Sequence, residues 1–584
     1  MSVHDHRPFR PAPGPLRRSR PIASTLSPWL RWVTACVWWV EHAFERARAD
    51  ARPEEDTRVR IFLVMLVFSV VFGALGFGAV RAALLVPGGG TGSVANPDAL
   101  VRADLVDRNG VLLATNITHY GLYIDPAEVW DRQQAARALR RALPRISATR
   151  LNGVLFGARR GLVAQSLTPG ERAAVHALAL GGISFEPEDR RVYPMDQSAT
   201  FVIGQADSGG MGITGAELAF NEEIRAAGAV SRDFALSIDL RVQGVLENEL
   251  VAAAIENGSR GAVGIVTDTS TGEVLGMASY PLNQQTNRAV ASVYEMGSVF
   301  KTFTIAAAVD TGRADMDTMI DASKAYMIGN RAIKDFHATN RVLSLEEVYL
   351  HSSNIGTSQL AIGMGGDIMR DYFTRFGLLE RAPIELKESA RPIRPRDWSD
   401  TTLASLSFGY GISITPVQMA AAMGALTNGG RYVPLSLRKG GAPNVEPRRV
   451  VSEQTSLTML DLMRRNVVNG SGTRADAPGL RVGGKTGSAN KLVNGRYESS
   501  HAVGTFAAVF PTDGPINTRR YSILILMDEP QTVPRTGGFV AAPAVGRIAA
   551  RIAPFLGVQR GADAWRTALG DKVPVFEDVE GDGR

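Results

Sequence analysis

The sequence predicts an α/β multidomain chain held to a membrane by a single N-terminal transmembrane helix. Three observations carry that prediction. The 584 residues exceed what one ordinary core encloses, so two or more domains are expected. A run of twenty residues without a charge, IFLVMLVFSVVFGALGFGAV at 61–80, precedes everything else that reads as folded. Beyond residue 236, apolar strand patterns stand at both ends of a long segment with helical patterns between them. That arrangement calls for a central antiparallel sheet flanked by helices and built from the first and last parts of the segment.

The elements follow in order. Residues 1–60 carry eleven arginines against seven acidic residues and read as a cytoplasmic Arg-rich tail. Within it, PWLRWVTACVWWVEHAF (28–44) is interrupted by Arg31 and Glu41 and reads as an interfacial helix, not a second span. Residues 61–80, at about 1.5 Å per residue, match the roughly 30 Å hydrocarbon core. Sixty residues ahead of the run argue against a cleaved signal peptide. The positive flank keeps the tail inside and sends the rest of the chain to a periplasm-like space.

Residues 81–98 form a Gly/Pro/Ser-rich linker, and a first extracytoplasmic domain is expected over 99–235. It opens with RADLVDRNGVLLATN, a strand–turn–strand with Asn109-Gly110 at the turn. Residues 127–180 read as mostly helical and 190–224 as loop-rich. A second domain is expected over 236–560, followed by a C-terminal tail, 561–584. In that domain FALSIDLRVQGVLENELVAAAIENG gives a short strand and a long helix, and GAVGIVTDTSTGEVLGMASYP gives a hairpin. HAVGTFAAVFPTD and YSILILMDEP give two more strands, and PAVGRIAARIAPFL a closing helix.

Composition excludes several classes of function. One cysteine, Cys36, leaves no intramolecular disulfide and no CxxC site. Eight scattered histidines lack HExxH or HxH spacing, so neither metal nor cofactor is expected. The net charge of +6 lies mostly in the N-terminal tail, which is a topology signal and no nucleic-acid groove.

The chemistry announces itself through lysine. The chain holds eight lysines against 56 arginines, and the first lysine is Lys301, in EMGSVFKTFTIAAAV. Arg stays protonated in proteins, whereas a buried Lys can lose its proton and act as a base. Ser298-Val-Phe-Lys301 is an S-x-x-K, but Ser436–Lys439 and Ser488–Lys491 match the same pattern in what read as loop-like stretches. Only Ser298 follows a glycine and opens a helical run that stops at Thr311-Gly312. Residues i and i+3 of a helix share a face, which brings the Lys301 amine toward the Ser298 hydroxyl. The helix start also offers free N–H groups to a developing oxyanion.

Two more stretches accompany it. HSSNIGTSQLA supplies Ser352 and Asn354, a hydroxyl to relay a proton and an amide to orient a carbonyl. VGGKTGSAN supplies Lys485, Thr486, Gly487 and Ser488, where lysine and hydroxyls can hold a carboxylate and glycine lets a substrate backbone approach closely. Each alone has a plainer reading as a turn or a polar first turn. The three together, in this order, do not.

S-x-x-K, S-D-N and K-T-G are the motif set of penicillin-binding proteins and class A β-lactamases, with Ser352-Ser353-Asn354 here at the second. The chain resembles a class B penicillin-binding protein close to the FtsI-type division transpeptidases. The resemblance runs over about residues 99–555 and includes RADLVDRNG, RRVYP, GITGAE, SIDLRVQ, YEMGSVFK, HSSNIGTSQLA, SFGYGISITPVQMAAAMGALTNGG, GGKTGSAN and MDEP. Met296 stands where Pro is usual, Ser488 where Thr is usual, and the stretch between Phe220 and Ser237 looks short.

The resemblance implies a dimerisation or pedestal domain over 99–235 and a transpeptidase domain over 236–560. It implies Ser298 as acylated nucleophile, Lys301 as base, and Ser352 and Asn354 as proton relay and substrate orienter. Lys485 and Thr486 would hold the terminal carboxylate, and the N–H groups of Ser298 and Ser488 the oxyanion. The implied partners are peptidoglycan stem peptides on glycan derived from a lipid-linked precursor, β-lactams, a SEDS-type glycan polymerase and other division proteins. The rival readings are an elongation-type transpeptidase, a D,D-carboxypeptidase or β-lactamase-like hydrolase, and a non-catalytic division scaffold or β-lactam sensor.

Overall fold

The computed structural model describes residues 64–76 and 102–561, apart from Asp196, Ser208, 283–285 and 443–446, together with Trp38 and His42. The chain divides between Asn96 and Pro97 into two units. Of the first, Trp38 and His42 are helical and joined by a 3.0 Å bond from the His42 ring to the Trp38 carbonyl. Residues 64–76 form a helix whose Val64, Met65, Phe68, Val71, Phe72 and Leu75 are exposed. Among the described residues no helix is long and apolar enough to cross a membrane. The rest of the 61–80 run, most of 28–44, the 81–98 linker and the C-terminal tail beyond 561 lie outside the described residues.

In the second unit the chain first builds a five-stranded sheet around one long strand. β1 (Leu105–Val106) and β2 (Leu112–Ile124) flank the Asn109-Gly110 turn, where Gly110 has φ +87° and the Asp107 carboxylate accepts the N–H groups of Asn109 and Val111. Helices α1 (Arg132–Ala142) and α2 (Ala148–Leu155) follow, then β3 (Gly161–Leu167), α3 (Pro169–His176) and β4 (Ile183–Val192). The region read as mostly helical therefore contains a strand, GLVAQSL, because it pairs with β2. Thr168 and Glu171 close a capping box on α3. Leu139, Leu151, Leu155 and Val175 pack with Leu122 and Val163 as a small separate core. The stretch read as loop-rich holds short helices, Thr200–Ile203, Gly215–Ala219 and Asn221–Ala229.

Three of the quoted motifs meet here. Arg102 and Arg191 both pair with the fully buried Glu217, and Arg102 also donates to Asn221 at 2.6 Å. A buried carboxylate between two guanidinium groups is matched in charge, and breaking one partner of such a set is costly.

β5 (Phe234–Ala235) returns to pair in parallel with β1, and the chain then enters the larger layer. α4 (Leu240–Glu256) leads to β6 (Gly261–Asp268) and β7 (Val274–Tyr280). A 3-10 turn, Gly297–Phe300, runs into α5 (Lys301–Asp310). α6 (Leu345–Leu350), α7 (Asn354–Met364), α8 (Pro416–Thr427) and α9 (Glu453–Asn469) come next. β8 (Gly483–Val493), β9 (Arg496–Phe510), β10 (Tyr521–Asp528) and α10 (Ala542–Ile552) close the layer.

The sheet order is β8-β9-β10-β6-β7, antiparallel throughout, so strands from the two ends of the segment do form one sheet. β10 is apolar along its length because both faces are covered. Ile523, Ile525 and Met527 face a core shared with α4 and α10, and Leu524 and Leu526 face one shared with α5 and α8. α8 is buried at every position, started by a Thr415–Gln418 capping box with Pro416 in its first turn. α5 ends as its sequence indicates. Gly312 sits at φ +67°, and Arg313 and Gly312 donate back to Ala308 and Val309 at 2.9 and 3.0 Å.

Candidate active site

The site lies where the start of α5 meets the edge strand β8. Phe300 and Phe303 anchor α5 against Phe373 and Phe376, with ring centroids 5.7 and 4.9 Å apart. Ser298 is half-buried on the 3-10 turn. Three glycines allow backbone to touch backbone around it. A Cβ on Gly297 (φ +56°) would lie 2.3 Å from the Ser488 carbonyl oxygen, and one on Gly409 2.2 Å from that of Gly297. One on Gly487 would lie 2.2 Å from the Met296 carbonyl oxygen. The K-T-G glycine, read in the sequence as room for substrate, thus admits the protein's own nucleophile turn.

Lys301 is fully buried and directs its Nζ to Ser352, donating to the Ser352 carbonyl and, at 3.1 Å, to its hydroxyl. Among the described residues Lys301 makes no hydrogen bond to Ser298; the i,i+3 spacing brings the two onto one turn, and the S-x-N turn takes the amine. Burial holds the Lys301 ammonium well below the usual lysine range, and the positive charge of Lys485 pushes it the same way. Asp335 opposes both.

Ser352 has φ +57°, a left-handed conformation uncommon for serine. Ser353 caps α7, accepting from Gly356 N–H at 3.0 Å and donating to Asp335 at 2.8 Å. The other Asp335 oxygen accepts the Ile355 N–H at 2.9 Å, and the Asn354 amide donates to the Lys334 carbonyl at 3.0 Å.

On the facing wall Lys485 is also fully buried, and burial alone pulls its ammonium down to about 7. Its Nζ lies 3.4 Å from Thr486 Oγ1, 3.5 Å from Ser471 Oγ and 5.5 Å from the centre of the Tyr349 ring. Ser471 and Thr486 hydroxyls are 2.8 Å apart, and Asn466 holds Ser471 while donating to the Gly484 carbonyl. Ser488 Oγ accepts the Gly537 N–H at 3.1 Å. Two lysines depressed by burial, one beside each hydroxyl-bearing wall, give the site an amine able to act as a general base and a second cation facing it.

Residues 262–550 match the penicillin binding protein transpeptidase domain, and residues 99–227 the penicillin-binding protein dimerisation domain. The chain is 51% identical to the probable peptidoglycan D,D-transpeptidase FtsI of Caulobacter vibrioides, over 91% of this chain and 95% of that one. The chain belongs to the class B penicillin-binding proteins. Within that family it is similar to the peptidoglycan D,D-transpeptidase FtsI of Escherichia coli, 29% identical over 93% of this chain and 99% of the other. The probable peptidoglycan D,D-transpeptidase PenA of Neisseria gonorrhoeae is 30% identical over 78% and 85%.

In this penicillin-binding protein the competing S-x-x-K pairs are dispersed. Ser436 bonds Glu385 while Lys439 is exposed in a loop. Ser488 and Lys491 do not lie in a loop, as their sequence context suggested, but on β8, paired along its length with β9. Three residues apart on a strand, they point to opposite faces. Lys491 pairs with Asp528 and Glu529 at 2.9 and 2.8 Å. Sequence reasoning missed Asp335, Tyr349, Asn466 and Ser471. Each reaches the site from a distant stretch with no spacing relation to the motif it supports.

Proposed function

We propose that this chain is a peptidoglycan D,D-transpeptidase that cross-links stem peptides at the division septum through a serine acyl-enzyme. The observation that carries this reading is the fully buried Lys301, whose amine is bonded to the Ser352 hydroxyl and depressed by burial and by Lys485. The amine form of Lys301 takes the Ser298 proton, directly or through the Ser352 hydroxyl, as Oγ attacks the D-alanyl-D-alanine carbonyl. The N–H groups of Ser298 and Ser488 receive the oxyanion. Lys485, Thr486 and Ser471 hold the terminal carboxylate, and Asn354 orients the peptide. Collapse of the tetrahedral intermediate breaks the C–N bond, and the leaving D-alanine takes the proton from Lys301. An amine of a neighbouring stem then attacks the ester carbonyl and gives up a proton. Ser298 Oγ leaves and takes a proton back, which restores the free hydroxyl and the neutral lysine.

The same reading assigns 1–60 to the cytoplasm, 61–80 to a membrane anchor, 81–98 to a linker, 99–235 to a pedestal and 236–560 to the transpeptidase domain. The uncovered apolar helix at 64–76 supports the anchor. A polytopic SEDS-type glycan polymerase and other division proteins would be its membrane partners, and β-lactams its inhibitors.

The deciding test is a labelled penicillin and a peptide map. The label should sit on Ser298, and Ser298→Ala should lose it while remaining folded. Label on Ser436 or Ser488 would overturn the assignment. For topology, a reporter active only outside the cytoplasm, fused after Arg584, should be active, and a chain cut at Gly90 should be soluble.

A further inference from the structure

Three residues ahead of Ser298 stands a carboxylate that the reaction above does not use. Glu295 Oε1 accepts the Gly411 N–H at 2.7 Å and the Tyr497 hydroxyl at 3.1 Å. The Tyr497 ring meets the Tyr410 ring edge-on, 5.1 Å between centroids. Tyr410 in turn accepts the Asn490 N–H at 3.0 Å, two residues past Ser488 on β8. The nucleophile turn, the 408–411 loop and the β8–β9 hairpin therefore meet at one corner, built from one carboxylate and two phenol rings.

Four buried carboxylates of this domain are matched by cations, whereas Glu247, Asp310 and Glu385, half-buried like Glu295, bond only neutral donors among the described residues. Glu249 pairs with Arg547 and Arg551, Asp268 with Arg519, Glu273 with Arg108, and Asp528 with Lys491. Among the described residues Glu295 pairs with none, in a chain holding 56 arginines. Arg331, an exposed side chain, acts electrostatically on Tyr497 and forms no ion pair with Glu295. Burial raises the Glu295 carboxyl above its ordinary range, a cost that an arriving cation would offset. A carboxylate beside aromatic faces is the chemistry that receives an ammonium, through charge and through the ring quadrupole.

We propose that Glu295, Tyr410 and Tyr497 form a receiving corner for the ammonium group of a stem-peptide side chain. The proposal rests on the transpeptidase reading and adds to it the recognition of a cationic substrate group. That ammonium has two sources, the acyl donor's own side-chain amine and the amine of the acceptor stem.

Both are tested on the full chain and its Glu295→Gln variant, which keeps an oxygen for Gly411 and Tyr497. In the donor arm, D-alanine release is compared for synthetic stems with a free or an N-acetylated side-chain amine. In the acceptor arm, the half-saturating concentration of an amine-bearing acceptor stem is measured with the acetylated donor. A donor role gives a preference for the free amine of roughly tenfold that collapses in the variant. An acceptor role gives a half-saturating concentration raised by about as much. The donor arm compares two substrates within one variant, so a general loosening of the nucleophile turn cancels there. Tyr497→Leu should shift the same readout in the same direction by less, and keeps the test open if Glu295→Gln folds poorly. Unchanged donor preference together with unchanged acceptor half-saturation would overturn the corner and leave the transpeptidase reading standing. A wild-type chain that neither releases D-alanine nor binds penicillin covalently would instead overturn the transpeptidase reading.

Discussion

Replacing Lys301 by arginine separates a charge from a removable proton. The side chain is fully buried, its Nζ donates to both oxygens of Ser352, and Lys485 lies close enough to depress it further. An arginine at 301 would keep a cation in the Ser298 neighbourhood but could not shed its proton, and it would place a permanent charge in a desolvated pocket beside a second lysine. Loss of general-base help costs about two to four orders of magnitude in rate. At 1.36 kcal/mol per tenfold, that is roughly 3 to 5 kcal/mol of barrier. Lys301→Arg and Lys301→Ala should therefore both acylate with penicillin at least about a hundredfold more slowly than wild type. Lys439→Arg, at an exposed loop, and Lys491→Arg, whose partners Asp528 and Glu529 accept either cation, should leave the acylation rate nearly unchanged. The assay is the rate of penicillin acylation in the four purified variants, with circular dichroism to confirm folding. A Lys301→Arg enzyme acylating at near wild-type rate would refute the argument, because the charge alone would then suffice.

Asp335→Asn should move the acidic limb of the acylation pH profile to lower pH, since Asp335 is the anion that raises Lys301 against burial and Lys485; a purely structural role would lower the rate without moving the limb. Lys485, at about 7 when folded against an ordinary 10.5, must be protonated to hold a carboxylate, so the first binding step with penicillin should weaken above about pH 7. Between those two values the unfolded chain holds more protons, so the cost of burying Lys485 is full below about 7 and fades toward 10.5. In thermal melts Lys485→Met should accordingly gain most over wild type on the acid side, with the gain shrinking as pH rises. Gly487→Ala drives a Cβ to 2.2 Å from the Met296 carbonyl and should abolish acylation with a loss of about 1–3 kcal/mol in stability, whereas Gly363→Ala, open on all sides within a helix, should be neutral or slightly stabilising in the same melts.

Local sequence rules carried far in this protein. The Asn109-Gly110 turn, the start and stop of α5 and the two apolar strands at 502–528 follow from side-chain chemistry within a few residues. So does the contrast between Lys301 and a chain written in arginine, because the choice of a titratable cation is made at one position. The sheet order was legible as a class, since strands at both ends of a segment have to meet, but its register depends on pairing across more than two hundred residues.

Tertiary structure alone decided the rest. Lys301 reaches Ser352, not Ser298 three residues before it, because the turn between α6 and α7 comes up to its amine, while Phe300 and Phe303 hold the start of α5 against Phe373 and Phe376. Asp335 and Ser471 act on motifs from eighteen and fourteen residues away through loops without periodicity. The depressed pKa values of Lys301 and Lys485 exist only because distant elements remove both amines from water. Sequence spacing fixes which groups share a turn or a strand face; desolvation and the approach of two backbones are properties of the packed whole.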